Sequence, residues 1–348
     1  DAVRVDPEAL RTTVAAIFEK MDVPPEDARL AADVLVSADL RGVDTHGVSK
    51  MLRVVVQGYG NGTINPRPNW RVVRESPSTL TVDSDFGLGI IVVPKVMELA
   101  IEKARATGVG MATIGHGRHL GMAAYHAMLA LRHDMIGLCT TASGPSVVPT
   151  FGREPRLGTN PIAVAVPTKR QPPFVFDAAT SVVAGNKLGL ARRMGTLLPA
   201  GVLAAADGTP ILEPAPVPER YQLLPLGTTR ETGSHKGYGL ACVVEVLGGV
   251  LSGAGFAART GRGTANHFVA ALNVDAFTPV EEFKEEMDEL IRTLRETPPA
   301  PGHERVLVAG VPEAEAEAER RVKGIPLHRE VVQWFQDICH ELSIPFTL

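Results

Sequence analysis

The chain carries two kinds of apolar pattern, and they divide it into three stretches. In the first, Leu10, Val14, Ile17 and Met21 recur at helical spacing, behind an Asp6-Pro7 pair that reads as a cap followed by proline in the first turn. Pro24-Pro25 opens a second helix whose apolar end runs from Leu30 to Leu40, and Gly42 punctuates its stop. A third helix has Val48, Met51, Leu52 and Val55 as its stripe and ends between Gly58 and Gly62. Ile64-Asn65-Pro66-Arg67-Pro68 is a turn-rich exit.

The middle stretch mixes short apolar runs with helical ones. Strands are expected at Thr79–Val82, Gly108–Ile114, Met135–Thr141, Ile162–Pro167, Phe174–Asp177 and Phe268–Val274. Helices are expected at Val92–Ala106, Gly121–His133 and Gly239–Leu251, with a loop-rich segment from Pro199 to Leu224. The strand–helix–strand unit from Gly108 to Thr141 predicts α/β structure. The last stretch is helical again. Val280–Arg295 is charged and amphipathic, Glu313–Arg321 alternates acid and alanine as a solvated helix, and Val331, Val332, Phe335, Cys339 and Leu342 line one face of His328–Leu342. Residues 1–75 are therefore expected to pack with 280–348, flanking an α/β body at 76–279.

Composition narrows the class. The 348 residues suggest about two domains. With 45% apolar and 21% charged residues, the composition is that of an ordinary globular protein. A net charge of -4 with mixed signs argues against nucleic acid or an anionic membrane as partner. Cys139, Cys242 and Cys339 are far apart in apolar runs, which reads as reduced thiols in a cytoplasmic protein. The sequence shows neither a charged-then-apolar leader nor an apolar run of spanning length.

Candidate chemistry centres on Asp44-Thr45-His46-Gly47. Asp44 is expected to cap the third helix, with His46 in its first turn and Lys50 and Arg53 following on one face. An imidazole beside two cations at a helix N-terminus suits a small anion that must gain or lose a proton; a solvated basic face is the plainer reading of the spacing alone. Gly115-His116-Gly117-Arg118-His119-Leu120-Gly121 lies between a strand and a helix, where α/β proteins place sites. His116, His119 and His126 lack the context of a metal motif, so no metal is expected. Gly253-Ala254-Gly255-Phe256-Ala257-Ala258 matches a dinucleotide fingerprint, but it follows a helix and precedes a loop, against the strand–turn–helix order that chemistry needs. Lys236, among the glycines of Gly233–Gly239 and ahead of a helix, could hold a phosphate or merely sit near a cap. Asp177, closing the run from Phe174, reads equally as a buried carboxylate or a cap.

Taken in order, these segments resemble the malate/L-lactate dehydrogenase family of the second, non-Rossmann type. That family includes malate, sulfolactate and ureidoglycolate dehydrogenases, diketogulonate reductase and piperideine-carboxylate reductase. The likeness covers nearly the whole chain, through Asp44–Gly47, Gly117–Gly121, Gly158-Thr159-Asn160-Pro161-Ile162-Ala163, Asp177–Ser181, Ser234–Gly239 and Gly324-Ile325-Pro326-Leu327. It implies a family-specific α/β fold that binds NAD or NADP without a Rossmann fingerprint. The implied reaction is hydride transfer between a small 2-hydroxy acid and its 2-oxo acid, in a homodimer with its active site near the subunit contact.

By the same resemblance, His46 and His119 are the candidate proton carriers, family members differing in which is used, and Asp177 is a carboxylate near the nicotinamide. Ser143, Thr159, Asn160, Ala178, Thr180, Lys236, Gly237, Asn266 and His267 are the implied cofactor contacts. The family pattern has an arginine four residues after the first histidine as a carboxylate clamp. Here that position is Lys50, with Arg53 a turn on, so either could serve. Reduction of a cyclic imino acid on the same fold, nucleotide binding without turnover, and a metal-dependent hydrolase using His116, His119 and Asp44 are the alternatives.

Overall fold

A computed structural model describes residues 2–348, apart from the side chains at 186, 190, 193 and 194. The chain opens with strand β1 (Ala2–Val5) and three helices, α1 (Pro7–Lys20), α2 (Pro25–Leu40) and α3 (Val48–Gly60). Asp6 caps α1 by accepting the N–H groups of Glu8 and Ala9, and Pro7 sits in the first turn. Strands β2 (Arg71–Glu75) and β3 (Thr79–Asp83) follow, then α4 (Gly89–Thr107), β4 (Val109–Gly117), α5 (Ala123–Met128) and β5 (Met135–Ser143). The helix expected to Gly121–His133 is shorter than its apolar pattern: α5 tightens into a 3₁₀ turn over Leu129–His133. Next come β6 (Ile162–Val166), β7 (Phe174–Ala178), α6 (Gly185–Met194) and the two-residue strands β8 (Leu203–Ala204) and β9 (Gln222–Leu223). The chain closes with α7 (Ser234–Val244), α8 (Ala257–Thr260), β10 (Ala265–Asn273), α9 (Val280–Arg295), α10 (Val311–Lys323), β11 (Ile325–His328) and α11 (Arg329–Glu341).

The central sheet has seven strands in the order β2-β3-β4-β10-β5-β6-β7. Only β3 and β4 run parallel as neighbours; every other adjacent pair is antiparallel. The strand–helix–strand unit of the sequence is present, but β4 and β5 do not pair. Strand β10 lies between them, bonded to both. Helices α4 and α5 bury one face of the sheet through Val92, Val93, Met97, Ile101 and Ala127. The apolar run after α7 continues as a π-helical turn over Glu245–Val250 that crosses the other face, where Thr113 of β4 donates to the Leu247 carbonyl.

A second core joins the two ends of the chain. Strand β1 pairs antiparallel with β11, and Leu10, Phe18, Leu35 and Leu52 share one cluster with Ile325, Leu327, Val331 and Phe335. Arg71–Glu75, the last residues of the stretch expected to pack with 280–348, form the outer strand of the central sheet. Helix α9, expected to accompany the chain ends, instead anchors the Lys169–Gln171 loop, whose backbone N–H groups donate to Asp288.

The start of α3 is corrected most. The helix begins at Val48 with Gly47 as its cap residue, so His46 precedes it. The capping carboxylate is Asp39, from the end of α2, whose Oδ2 accepts the Val48 N–H at 2.8 Å. Asp44 is exposed and pairs with Arg320 of α10 instead. A Cβ on Gly47 would lie 2.0 Å from Asp39 Oδ1, so only glycine fits there.

Gly47→Ala should therefore lower the unfolding free energy measured in urea by at least the worth of a helix cap, about 1–2 kcal/mol. Gly60→Ala, with open space around its new methyl group, should change stability by less than about 1 kcal/mol. Equal effects from the two would show that the contact with Asp39 is not what excludes a side chain at 47.

Candidate active site

The loop between α2 and α3 forms one wall of a cavity of about 220 Å³. Arg41, Thr45 and His46 come from that loop, Met122 and Ala123 from the entry to α5, Thr159 from the turn before β6, Asp177 from the end of β7, and Glu313 from α10. Gly42, at φ +77°, lets the chain leave α2 and turn back over the cavity. Salt bridges from α10 fix that loop: Arg41 to Glu317 at 3.0 Å and Asp44 to Arg320.

The rings of His46 and His119 stack with centroids 5.7 Å apart and 30° between planes. Their Nδ1 atoms are wired differently. His119 Nδ1 accepts the Gly121 N–H at 2.9 Å, so in the neutral ring the proton sits on Nε2. His46 Nδ1 lies 2.9 Å from the Thr45 hydroxyl, which can give or take a proton, so either tautomer is compatible. Surrounding protein holds both imidazoles below their usual range; for His119 the neighbouring His46 and His126 add to the effect. Both rings are thus neutral at pH 7; His119 is exposed and sits outside the cavity lining, stacked on His46, which lines it.

Asp177 accepts the Ala124 N–H at 2.7 Å. Asp177 is open to the cavity, yet the protein packed around it pushes its carboxyl up to about 6, Glu313 adding to this, against the opposing pull of the Ala124 N–H and Arg41. The sequence pattern did not single out Arg41 or Glu313. Arg41 is the C-cap residue of α2, a position no motif marked, and Glu313 belongs to the acid–alanine helix that reads as solvated. Only the fold over of α10 puts them on one cavity.

The two cations after the signature lie elsewhere. Lys50 is exposed on α3, outside the cavity lining, and Arg53 turns to α11, bonding Glu330 at 3.2 Å and lying over the Trp334 ring. They do not share a face with His46, because His46 is not in the helix.

The residues implied as cofactor contacts form a connected frame. Asn160, at φ +38° and fully buried, accepts the Ser143 N–H through Oδ1 and donates through Nδ2 to Glu245 Oε1 and the Ala241 carbonyl. Thr180 donates to the carbonyls of Thr159 and Asn160. Glu245 also accepts the Ala257 N–H, and Asn266 donates to the Gly255 carbonyl. His267 spans Thr141 Oγ1 and the Arg118 carbonyl. Asn160, Thr180, Asn266 and His267 are buried and bonded inward, while Thr159 faces the cavity and Ala178 adjoins its wall residue Ala179. Glu245, the single charge in the run from Gly239 to Leu251, was the signal that this helix has a polar inner face.

Helix α7 starts at Ser234, earlier than the apolar run suggests, so Lys236 and Gly237 stand in its first turn. Lys236 is exposed, and Gly237 presses on Leu226, where a Cβ would come within 2.5 Å of the backbone nitrogen. In the fingerprint-like Gly253–Ala258, Gly253 and Gly255 at positive φ make a helix exit, and Ala257-Ala258 open the short helix α8, which takes in Arg259-Thr260 where a loop was expected. His116 is exposed and faces Asp83 at 3.2 Å, and His126 is buried against the Leu120 carbonyl. Among the described residues, no three His, Cys, Asp or Glu side chains gather as a metal site, and no helix is long and apolar enough to cross a membrane.

Comparison with known proteins is consistent along the whole chain. A family described as malate/L-lactate dehydrogenase matches residues 5–336. A malate dehydrogenase of Pyrococcus abyssi is 40% identical, covering 98% of this chain and 96% of its own length. An L-sulfolactate dehydrogenase of Methanocaldococcus jannaschii is 36% identical, covering 97% of each. The crystal structure of a malate dehydrogenase from Entamoeba histolytica superposes with a TM-score of 0.94 at 33% identity over 100% of both chains. The chain belongs to the malate/L-lactate dehydrogenase family.

Proposed function

We propose that this protein interconverts a small 2-hydroxy acid and its 2-oxo acid, with NAD or NADP as the hydride carrier, and that it works as a cytoplasmic homodimer. It is a 2-hydroxy acid dehydrogenase by family. The observation that carries the assignment of roles is the stacked histidine pair at the cavity with its two Nδ1 atoms wired oppositely.

His119 presents an Nε2–H and holds the C2 oxygen of substrate as a hydrogen-bond donor. His46, whose tautomer the Thr45 hydroxyl leaves free, takes the hydroxyl proton during oxidation and returns it during reduction. Asp177 lines the same cavity and offsets the imidazolium that forms on His46. Arg41 is the cation on the cavity wall and meets the substrate carboxylate, with Lys50 and Arg53 as the outlying candidates.

The residues present suit a nicotinamide dinucleotide. The cavity wall is apolar through Val43, Met122, Pro161 and Val175. The Ser143 and Thr159 segments touch behind it, since a Cβ on Gly158 would lie 2.2 Å from Ser143 Oγ. They lead to a second hollow of about 420 Å³ lined by Gly144, Ser146, Tyr221 and Arg262. Backbone N–H groups, Arg262 and, at the start of α7, Lys236 offer partners for phosphates, and Asn160, Thr180, Gly237 and Asn266 keep that wall in shape. When bound there, the nicotinamide supplies or accepts the hydride. The dimer is supported by the outer face of α7 and the turn after it, where Leu240, Val243, Val246 and Val250 stand exposed in a row.

His46→Gln and His119→Gln should each lower kcat by about 10²-fold or more. The base works deprotonated, so the oxidation rate falls as pH drops through the His46 value, which burial sets below the ordinary 6.5. That acid limb should vanish in His46→Gln and persist in His119→Gln. The reverse pattern would exchange the two roles, and near-normal kcat in both would remove the site.

Arg41→Ala should raise KM for the acid by about 10- to 100-fold, the worth of a charged hydrogen bond, while Lys50→Ala and Arg53→Ala should leave it within a few-fold. Initial rates over a panel of 2-hydroxy acids and cyclic imines, with each cofactor, measure this. An unchanged KM in Arg41→Ala beside a raised one in Lys50→Ala would move the clamp to α3.

A further inference from the structure

We propose that His126 and His267 are positioning residues which hold the peptide on either side of His119 and so fix where its Nε2 points; this rests on the role given to His119 above. The segment Arg118–Gly121 leaves β4 and enters α5 with His119 in its middle. Its flanking carbonyls are each held by a buried imidazole. The Arg118 carbonyl lies 3.0 Å from His267 Nε2, and the Leu120 carbonyl lies 2.7 Å from His126 Nε2. A carbonyl oxygen can only accept, so both rings carry their proton on Nε2 and donate.

The rest of each ring's environment agrees. Both are fully buried. His267 Nδ1 sits 2.8 Å from Thr141 Oγ1, which can donate to its lone pair, and His126 Nδ1 has no partner. A second proton on His126 would place an unpaired N–H in a dry interior. Burial accordingly pushes the two rings down to about 4 and 3, and they stay neutral across the working range.

The glycines around His119 follow from the same arrangement. A Cβ on Gly117 would come within 3.0 Å of His267 Nε2, in the way of its reach to the next carbonyl. Gly121 adopts φ +74°, which returns its N–H to His119 Nδ1. Arg118 completes the fixation, donating to the carbonyls of Thr63 and Gly263 and lying over the Phe86 ring. The backbone that carries His119 is therefore tied on both sides, and its ring is tied by Gly121.

The test separates positioning from general stability. In His267→Gln the amide nitrogen can occupy the place of Nε2 and donate to Arg118, whereas in His267→Asn it is too short; the same pair applies at 126. The Asn variants should lose about 10- to 100-fold in kcat, as small misplacements of a reacting group do, with the cofactor KM held within two-fold or so. The Gln variants should recover most of the loss. Combined with His119→Gln, the Asn changes should cost no further kcat.

Equal loss in Gln and Asn, a raised cofactor KM, or a kcat loss that adds in full to that of His119→Gln would overturn the proposal. If His119→Gln alone kept normal kcat, the role of His119 would fall first and this inference with it. Variants that unfold would show a lost thermal transition; unfolding of the Gln forms as well would make the two histidines structural and likewise overturn it.

Discussion

The structure depends on one insertion: β10, from late in the chain, lying antiparallel between β4 and β5 and bonded along its length to both. Without it the sheet would be two unconnected ribbons with unpaired edges. The same strand delivers Asn266 and His267 beneath the segments that carry the site, so the ladder that closes the sheet also sets the cavity wall. The π-helical turn before it adds Glu245, which ties the Asn160 turn to the start of α8.

The cleft and the helix start beside it hold groups that would be costly in an ordinary core. Asp177 sits in a setting that raises its carboxyl to about 6, so its ionisation costs stability as pH rises from the free value of 3.8 to about 6, and the cost is constant above that. Asp39 is fully buried, with one oxygen on the Val48 N–H and the other without a partner. Such groups persist because the surrounding helices and sheet fix them, and they cluster where proton transfer is proposed.

Much of this was legible from residue order. The spacing located nearly every long helix and sheet strand, and for Val280–Arg295 the bounds coincide, because an amphipathic surface helix writes its own period. What could not be read was pairing between distant segments. Periodicity gave Phe268–Val274 as a strand, but nothing local says that it separates β4 from β5. Asp44 looked like the cap of α3 because capping rules search the nearest residues, while the true cap came from the preceding helix. Arg41 and Glu313 became site residues only through packing of α10, and Asn160, Thr180, Asn266 and His267 turned out to be wired inward, a distinction between wall and lining that no motif encodes.

The pairing of β1 with β11 has a further consequence for how the protein is made. Helices α1–α3 and the site loop emerge early in synthesis, but their apolar faces find Ile325, Leu327, Val331 and Phe335 only once β11 and α11 have been made. Until then the nascent chain carries an unfinished core and a candidate-site wall with no α10 behind it. The α10–α11 segment must be made before the cavity can close, so ribosome stalling ahead of it yields aggregation-prone chains rather than a partly formed site.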